Sequence, residues 1–95
     1  MGLKFKWDKR KTEINRKKHN ISFEEASTVF ADLLSLTIPN PLHSVNEERK
    51  VIMGYSEKQR LLVVVHTEKQ DTIRIISARK ATAYERKIYE ETDSH

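Results

Sequence analysis

The chain has 95 residues, no cysteine, 18 Lys and Arg against 14 Asp and Glu, and a formal net charge of +4. A chain this short builds one thin core, so a single domain over residues 1–95 is expected. The missing thiols exclude disulfides, thiolate metal sites and cysteine nucleophiles. No apolar run approaches the roughly 20 residues of a membrane span, and a soluble cytoplasmic protein is the reading that fits. The charge is uneven: residues 4–18 hold eight basic side chains against Asp8 and Glu13, a local net of +6, which predicts one basic pole and an anionic partner.

Leu3, Phe5 and Trp7 alternate with Lys4 and Lys6, the period of a strand with one buried face. Asp8 is placed to cap a helix over residues 9–19, whose expected packing stripe is Lys11, Ile14, Asn15 and Lys18, with Ile14 its large apolar anchor. Asn20 suits the left-handed position after a helix. Ser22 to Glu25 reads as a capping box for a second helix docked through Phe23, Ala26 and Phe30. Residues 34–38 alternate as a strand stopped by Pro39 and Pro41, and the polar segment PNPLHSVNE forms a loop able to overhang a site.

Three runs rich in β-formers follow, at residues 49–55, 61–67 and 72–78. Short polar connections join them, so an antiparallel meander is expected. Leu61 to Val65 is apolar without alternation and belongs at the centre of the sheet. Thr82 to Glu85 is a second capping box, opening a last helix with Tyr84 and Ile88 turned to the sheet. The predicted order is strand, helix, helix, four strands and helix, an α+β class.

The segment TIRIISARKATAYERKIYEE, residues 72–91, carries Arg74 on a strand and Arg79 at its exit. Together with FKWDKRK, NRKKHNISFEEA, the EER ending at Arg49, and LLVVVHT, it resembles the BrnT family, the toxin half of BrnT/BrnA toxin–antitoxin pairs. The resemblance runs from Phe5 to about Glu91, with Asn20 where the family typically has glycine. It implies a RelE-like fold and a ribonuclease that inhibits translation. It also implies a BrnA-like antitoxin of the ribbon-helix-helix type, which contacts operator DNA on the toxin's behalf.

Cleaving RNA without a metal needs a base for the 2′-hydroxyl proton, cations for the charge that grows on the phosphate, and an acid for the leaving oxygen. Arg49, Arg74 and Arg79 are the candidate cations, since a guanidinium can hold two phosphate oxygens at once. Glu48 and His66 are the candidate proton-transfer groups, with His43 behind them. Glu48 is equally readable as a surface ion-pair partner, and His66 as a buried core histidine. Lys9, Arg10, Lys17 and Lys18 on the basic helix could track an RNA backbone or face the ribosome, or simply be a solvated face. Tyr84 could reach phosphate or be packing. The histidines are isolated and only Gly2 and Gly54 are present, so neither a metal site, a phosphate loop nor a cofactor is expected. A non-catalytic basic module that binds RNA or protein is the competing reading.

Overall fold

The computed structural model describes residues 2–39 and 49–93. Its elements are β1 Lys4–Lys6, α1 Lys9–His19, α2 Phe23–Thr28, a 3-10 turn Val29–Ala31, β2 Leu36–Pro39, β3 Arg49–Tyr55, β4 Leu61–Lys69, β5 Thr72–Lys80 and α3 Ala83–Asp93. The loop expected after Pro39, with His43, and the candidate base Glu48 lie outside the described residues. Among those described, no helix is long and apolar enough to cross a membrane.

One five-stranded sheet runs in the order β1-β5-β4-β3-β2. Neighbours from β2 to β5 pair antiparallel, but β1 joins β5 in parallel, so the sheet is mixed. Parallel partners need a long crossover, which the intervening helices and strands supply. β4 is central, as its unbroken apolar run predicts, with Leu61, Leu62, Val63 and Val64 all buried. Alternation along the strands sends Ile52, Leu62, Val64, Ile75 and Ala78 to one face, where they meet Ile21, Phe23, Ala26 and Val29 of the helical layer. Phe5, Trp7 and Phe30 close the margin of this core, with Phe30 against Phe5 at 5.3 Å and Trp7 edge-on to Phe23 at 6.3 Å.

The caps follow the sequence with one change of partner. Asp8 accepts the Arg10 N–H at 2.7 Å, and Asn20 ends α1 at φ 60° with its N–H on Arg16 O. Ser22 Oγ accepts the Glu25 N–H at 3.1 Å. The Glu25 carboxylate is used elsewhere: it accepts Ser56 Oγ–H at 2.7 Å and Arg60 Nε–H at 2.9 Å, and is ion-paired with Arg60 Nη2. At 2% exposure it ties α2 to the β3–β4 turn, and the Arg60 guanidinium holds its pKa below the ordinary value.

Both flanking strands are too short to cover their neighbours, and side chains finish the job. β1 ends at Lys6, opposite Arg74, which leaves the outer edge of the upper half of β5 without a strand partner. There Asn15 acts as a surrogate strand: its Nδ2 donates to Ala78 O at 2.9 Å and its Oδ1 accepts Ala78 N–H at 3.1 Å, while Nδ2 also donates to Ile21 O at 2.9 Å. On the other side Asp32 Oδ2 accepts the Tyr55 N–H at 2.8 Å, beyond the reach of β2. A Cβ on Gly54 would lie 2.9 Å from that same oxygen, so glycine is what permits the approach.

The expected anchor of α1 is therefore wrong by one residue. Ile14 is 56% exposed, and the polar Asn15, 6% exposed, does the anchoring. Truncating Asn15 orphans buried backbone groups, so Asn15→Ala is expected to destabilise by about 2–4 kcal/mol. Ile14→Ala should change stability by no more than about 0.5 kcal/mol. Urea unfolding of the two variants checks the contrast.

Candidate functional site

The second face of the sheet collects the arginines. Pairing places Arg49 opposite Thr67, Thr67 opposite Arg74, and Arg74 opposite Lys6, so one transverse row on this face reads Arg49, Thr67, Arg74, Lys6. The next row outward adds Lys69, Thr72 and Lys4. Arg79 belongs to the same face but pairs with Val63, four residues along β4 from Thr67. At about 3.3 Å per residue that is roughly 13 Å away. Arg49 and Arg74 flank a single strand, about 10 Å apart at Cα, within convergence range of two long side chains. The geometry thus couples Arg49 with Arg74 more closely than with Arg79.

Arg79 has a firm local partner. Its Nη1 and Nη2 donate to Glu85 Oε1 and Oε2 at 2.8 and 2.9 Å, a bidentate pair across the strand-to-helix junction. Glu85 Oε1 also accepts Thr82 N–H at 2.8 Å while Thr82 Oγ1 accepts Glu85 N–H at 3.1 Å, so the predicted capping box is complete. The Arg79 hydrogen bonds, with the Thr82 amide behind them, hold the Glu85 pKa at about 2.

His66 faces the other way. It is 0% exposed on the helical side, edge-on to Phe30 at 4.8 Å, with Nε2 on Glu68 Oε2 at 2.9 Å. Lys50 Nζ binds the other oxygen of Glu68 at 3.2 Å, and the His66 hydrogen bond comes first among the causes that lower the Glu68 pKa. The structure does not bring His66 to the arginines. Unbroken alternation along β4, with Leu62, Val64 and His66 on the core side, is what turns it inward. The bulge in this pairing is on β5, where Ile76 is the extra residue between Ser77 opposite Val65 and Ile75 opposite His66.

Lys9, Arg10, Lys17 and Lys18 are exposed on α1, in the helical layer and apart from the arginine rows. Lys18 with Lys11 does line a groove at the β5 edge that also touches Ser77.

The last helix presents a different residue to the protein than its sequence suggests. Tyr89, 3% exposed, is its buried anchor, edge-on to Tyr55 at 5.5 Å and donating its hydroxyl to Asp32 Oδ2 at 2.7 Å. Burial raises the Asp32 pKa, but hydrogen bonds from Tyr55 N–H, Tyr89 O–H and Leu34 N–H outweigh it and hold the group below its ordinary value. Tyr84 is 73% exposed and Ile88 39%, so the pair expected to pack instead overhangs an apolar groove of about 320 Å³ that includes Val51, Met53 and Val63. Tyr84 is thereby an accessible rim group on the arginine face.

Lys4, Lys6, Lys69 and Thr67 were not singled out by motif reading. The alternation of Lys4 and Lys6 with buried neighbours was a visible signal, but only the parallel pairing with β5 shows which cations they join. Among the described residues no group of three His, Asp or Glu gathers in metal-ligand geometry.

The Glu85 pKa fixes a direction for acid sensitivity. A carboxylate depressed to about 2 from 4.5 contributes stability that is fully present above pH 4.5 and is lost as pH falls toward 2. Melting temperatures between pH 5 and 2.5 should fall for the wild type and fall less for Glu85→Gln.

The comparisons agree with this architecture. A crystal structure of the Brucella abortus ribonuclease toxin BrnT superposes with a TM-score of 0.65 at 20% identity, covering 84% of this chain and 97% of that one, a likeness of fold. No curated protein matches. A family model described as the ribonuclease toxin BrnT of type II toxin–antitoxin systems matches residues 7–85, and the chain belongs to that family.

Proposed function

We propose that the chain is a metal-independent endoribonuclease with a RelE-like fold, which arrests translation by cutting RNA at the arginine-bearing face of its sheet. The observation that carries the reading is the shared row of Arg49, Thr67 and Arg74, with Arg79 further along the same face. Two guanidiniums flanking a neutral hydroxyl suit a phosphate whose negative charge rises as the 2′-oxygen attacks and the 5′-oxygen leaves. Glu48, which precedes Arg49 in the chain, is the proposed base for the 2′-hydroxyl proton. Arg79, already neutralised by Glu85, serves as a secondary cation that also fixes the start of α3.

Membership of a toxin–antitoxin family implies an antitoxin partner. The proposed partner is a BrnA-like ribbon-helix-helix protein that shields the arginine face and carries all contact with operator DNA. One observation favours a non-catalytic alternative: among the described residues, His66 is on the opposite face and Glu85 is committed to Arg79.

Antitoxin-free protein incubated with RNA in EDTA separates the two. Fragments ending in a 2′,3′-cyclic phosphate, with kcat/KM reduced about 100-fold or more in Arg49→Ala, Arg74→Ala and Glu48→Gln, are the expected result. Retarded but intact RNA would establish the binding module, and cleavage lost in EDTA would establish a metal requirement.

A further inference from the structure

Strand alternation sorts the charges at the turn end of the β4–β5 hairpin. Glu68 is directed to the helical face, where Lys50 and His66 hold it. The opposite face keeps Lys4, Lys6, Lys69, Arg49 and Arg74 in two adjacent rows. Within them lies a groove of about 360 Å³ lined by Lys6, Thr67, Lys69, Gln70, Thr72 and Arg74. None of its lining residues is a carboxylate, and among the described residues no carboxylate ion-pairs with Lys6 or Lys69. Asp71 at the turn is the nearby acid in sequence; its backbone oxygen accepts the Lys4 N–H, and one of its carboxylate oxygens accepts the Thr72 hydroxyl at 3.4 Å.

We propose that this groove is a second phosphate site, separate from the point of cleavage, in which Lys6 and Lys69 bind a backbone phosphate of the RNA flanking the scissile one. The proposal rests on the ribonuclease reading for the identity of the strand, and on the groove alone for its chemistry. Lysines supply compact charges that tolerate any nucleotide, and the Thr67 hydroxyl adds a neutral donor beside them. A chain lying across Thr67 from the Arg49–Arg74 pair continues directly into the groove, because Arg74 belongs to both. Substrates must therefore extend past the cut on the side of the β4–β5 turn to bind well.

Fluorescence anisotropy with a labelled, non-cleavable 2′-O-methyl oligoribonucleotide of about a dozen residues tests the site without requiring turnover. Lys6 and Lys69 are both exposed, so the double variant Lys6→Ala/Lys69→Ala should remain folded. Its expected affinity loss is about 10-fold or more, with the slope of log K against log salt reduced by about 0.7, the value for one phosphate contact on a single strand. Lys58→Ala/Lys80→Ala removes the same charge from the other end of the sheet and should change affinity less than twofold. Equal losses in the two double variants would reduce the effect to net charge and overturn the site, as would no loss in the first. If the first variant loses affinity while the wild type cuts no RNA, the groove stands and the ribonuclease reading falls.

Discussion

The Asn15 carboxamide on Ala78 is the contact on which the arrangement depends. A sheet edge needs partners for its N–H and C=O groups, and the parallel strand β1 is only three residues long. Asn15 meets both groups of Ala78 and reaches Ile21 as well, so one side chain closes the edge and links α1 to the start of α2. Asp32 performs the corresponding service for Tyr55 across the sheet and is itself held by Tyr89 of α3. With both flanks tied to the helical layer in this way, α1 and α2 are committed to one face. The other is left to α3, which is anchored at Tyr89 and covers it incompletely.

That asymmetry is what makes a polar working surface affordable in a small protein. The apolar core is concentrated beneath the helices, with Phe23, Ile21, Leu62 and Val64 fully buried there. The opposite face can then carry cations at Arg49, Arg74 and Lys6 without burying unpaired charge. Arg79 lies at the margin of the two regimes, and its bidentate bond to Glu85 ties β5 to the start of α3 beside the proposed site.

The order and type of the elements were legible because each has a local signature: Asp8 and Thr82 at helix starts, Asn20 at a helix end, and the apolar run of β4. The parallel pairing of β1 was not, because parallel pairing depends on where intervening elements travel. Asn15 falls on the expected packing stripe but ranks behind Ile14 as its anchor because periodicity ranks residues by apolarity, whereas the requirement at that position was for a donor and an acceptor. Tyr84 and Ile88 were favoured over Tyr89 for a similar reason; Asp32 offers Tyr89 a hydroxyl partner that lies 57 residues away in sequence. The arginines were visible as residue types, but their grouping depends on register. A one-residue bulge at Ile76 of β5, opposite Val65 and His66, is what brings Arg74 to the same face as Arg79.

The central claim is that RNA meets the arginine face of the sheet and not the basic helix α1, the more obvious cationic segment in the sequence. Methyl NMR with the non-cleavable oligoribonucleotide distinguishes them directly. Val51 and Val65 report the arginine face, and Ile14, half-exposed on α1, reports the helix. The account predicts shifts in the Val51 and Val65 methyls with Ile14 and the core residue Val64 unmoved; shifts confined to Ile14 would contradict it.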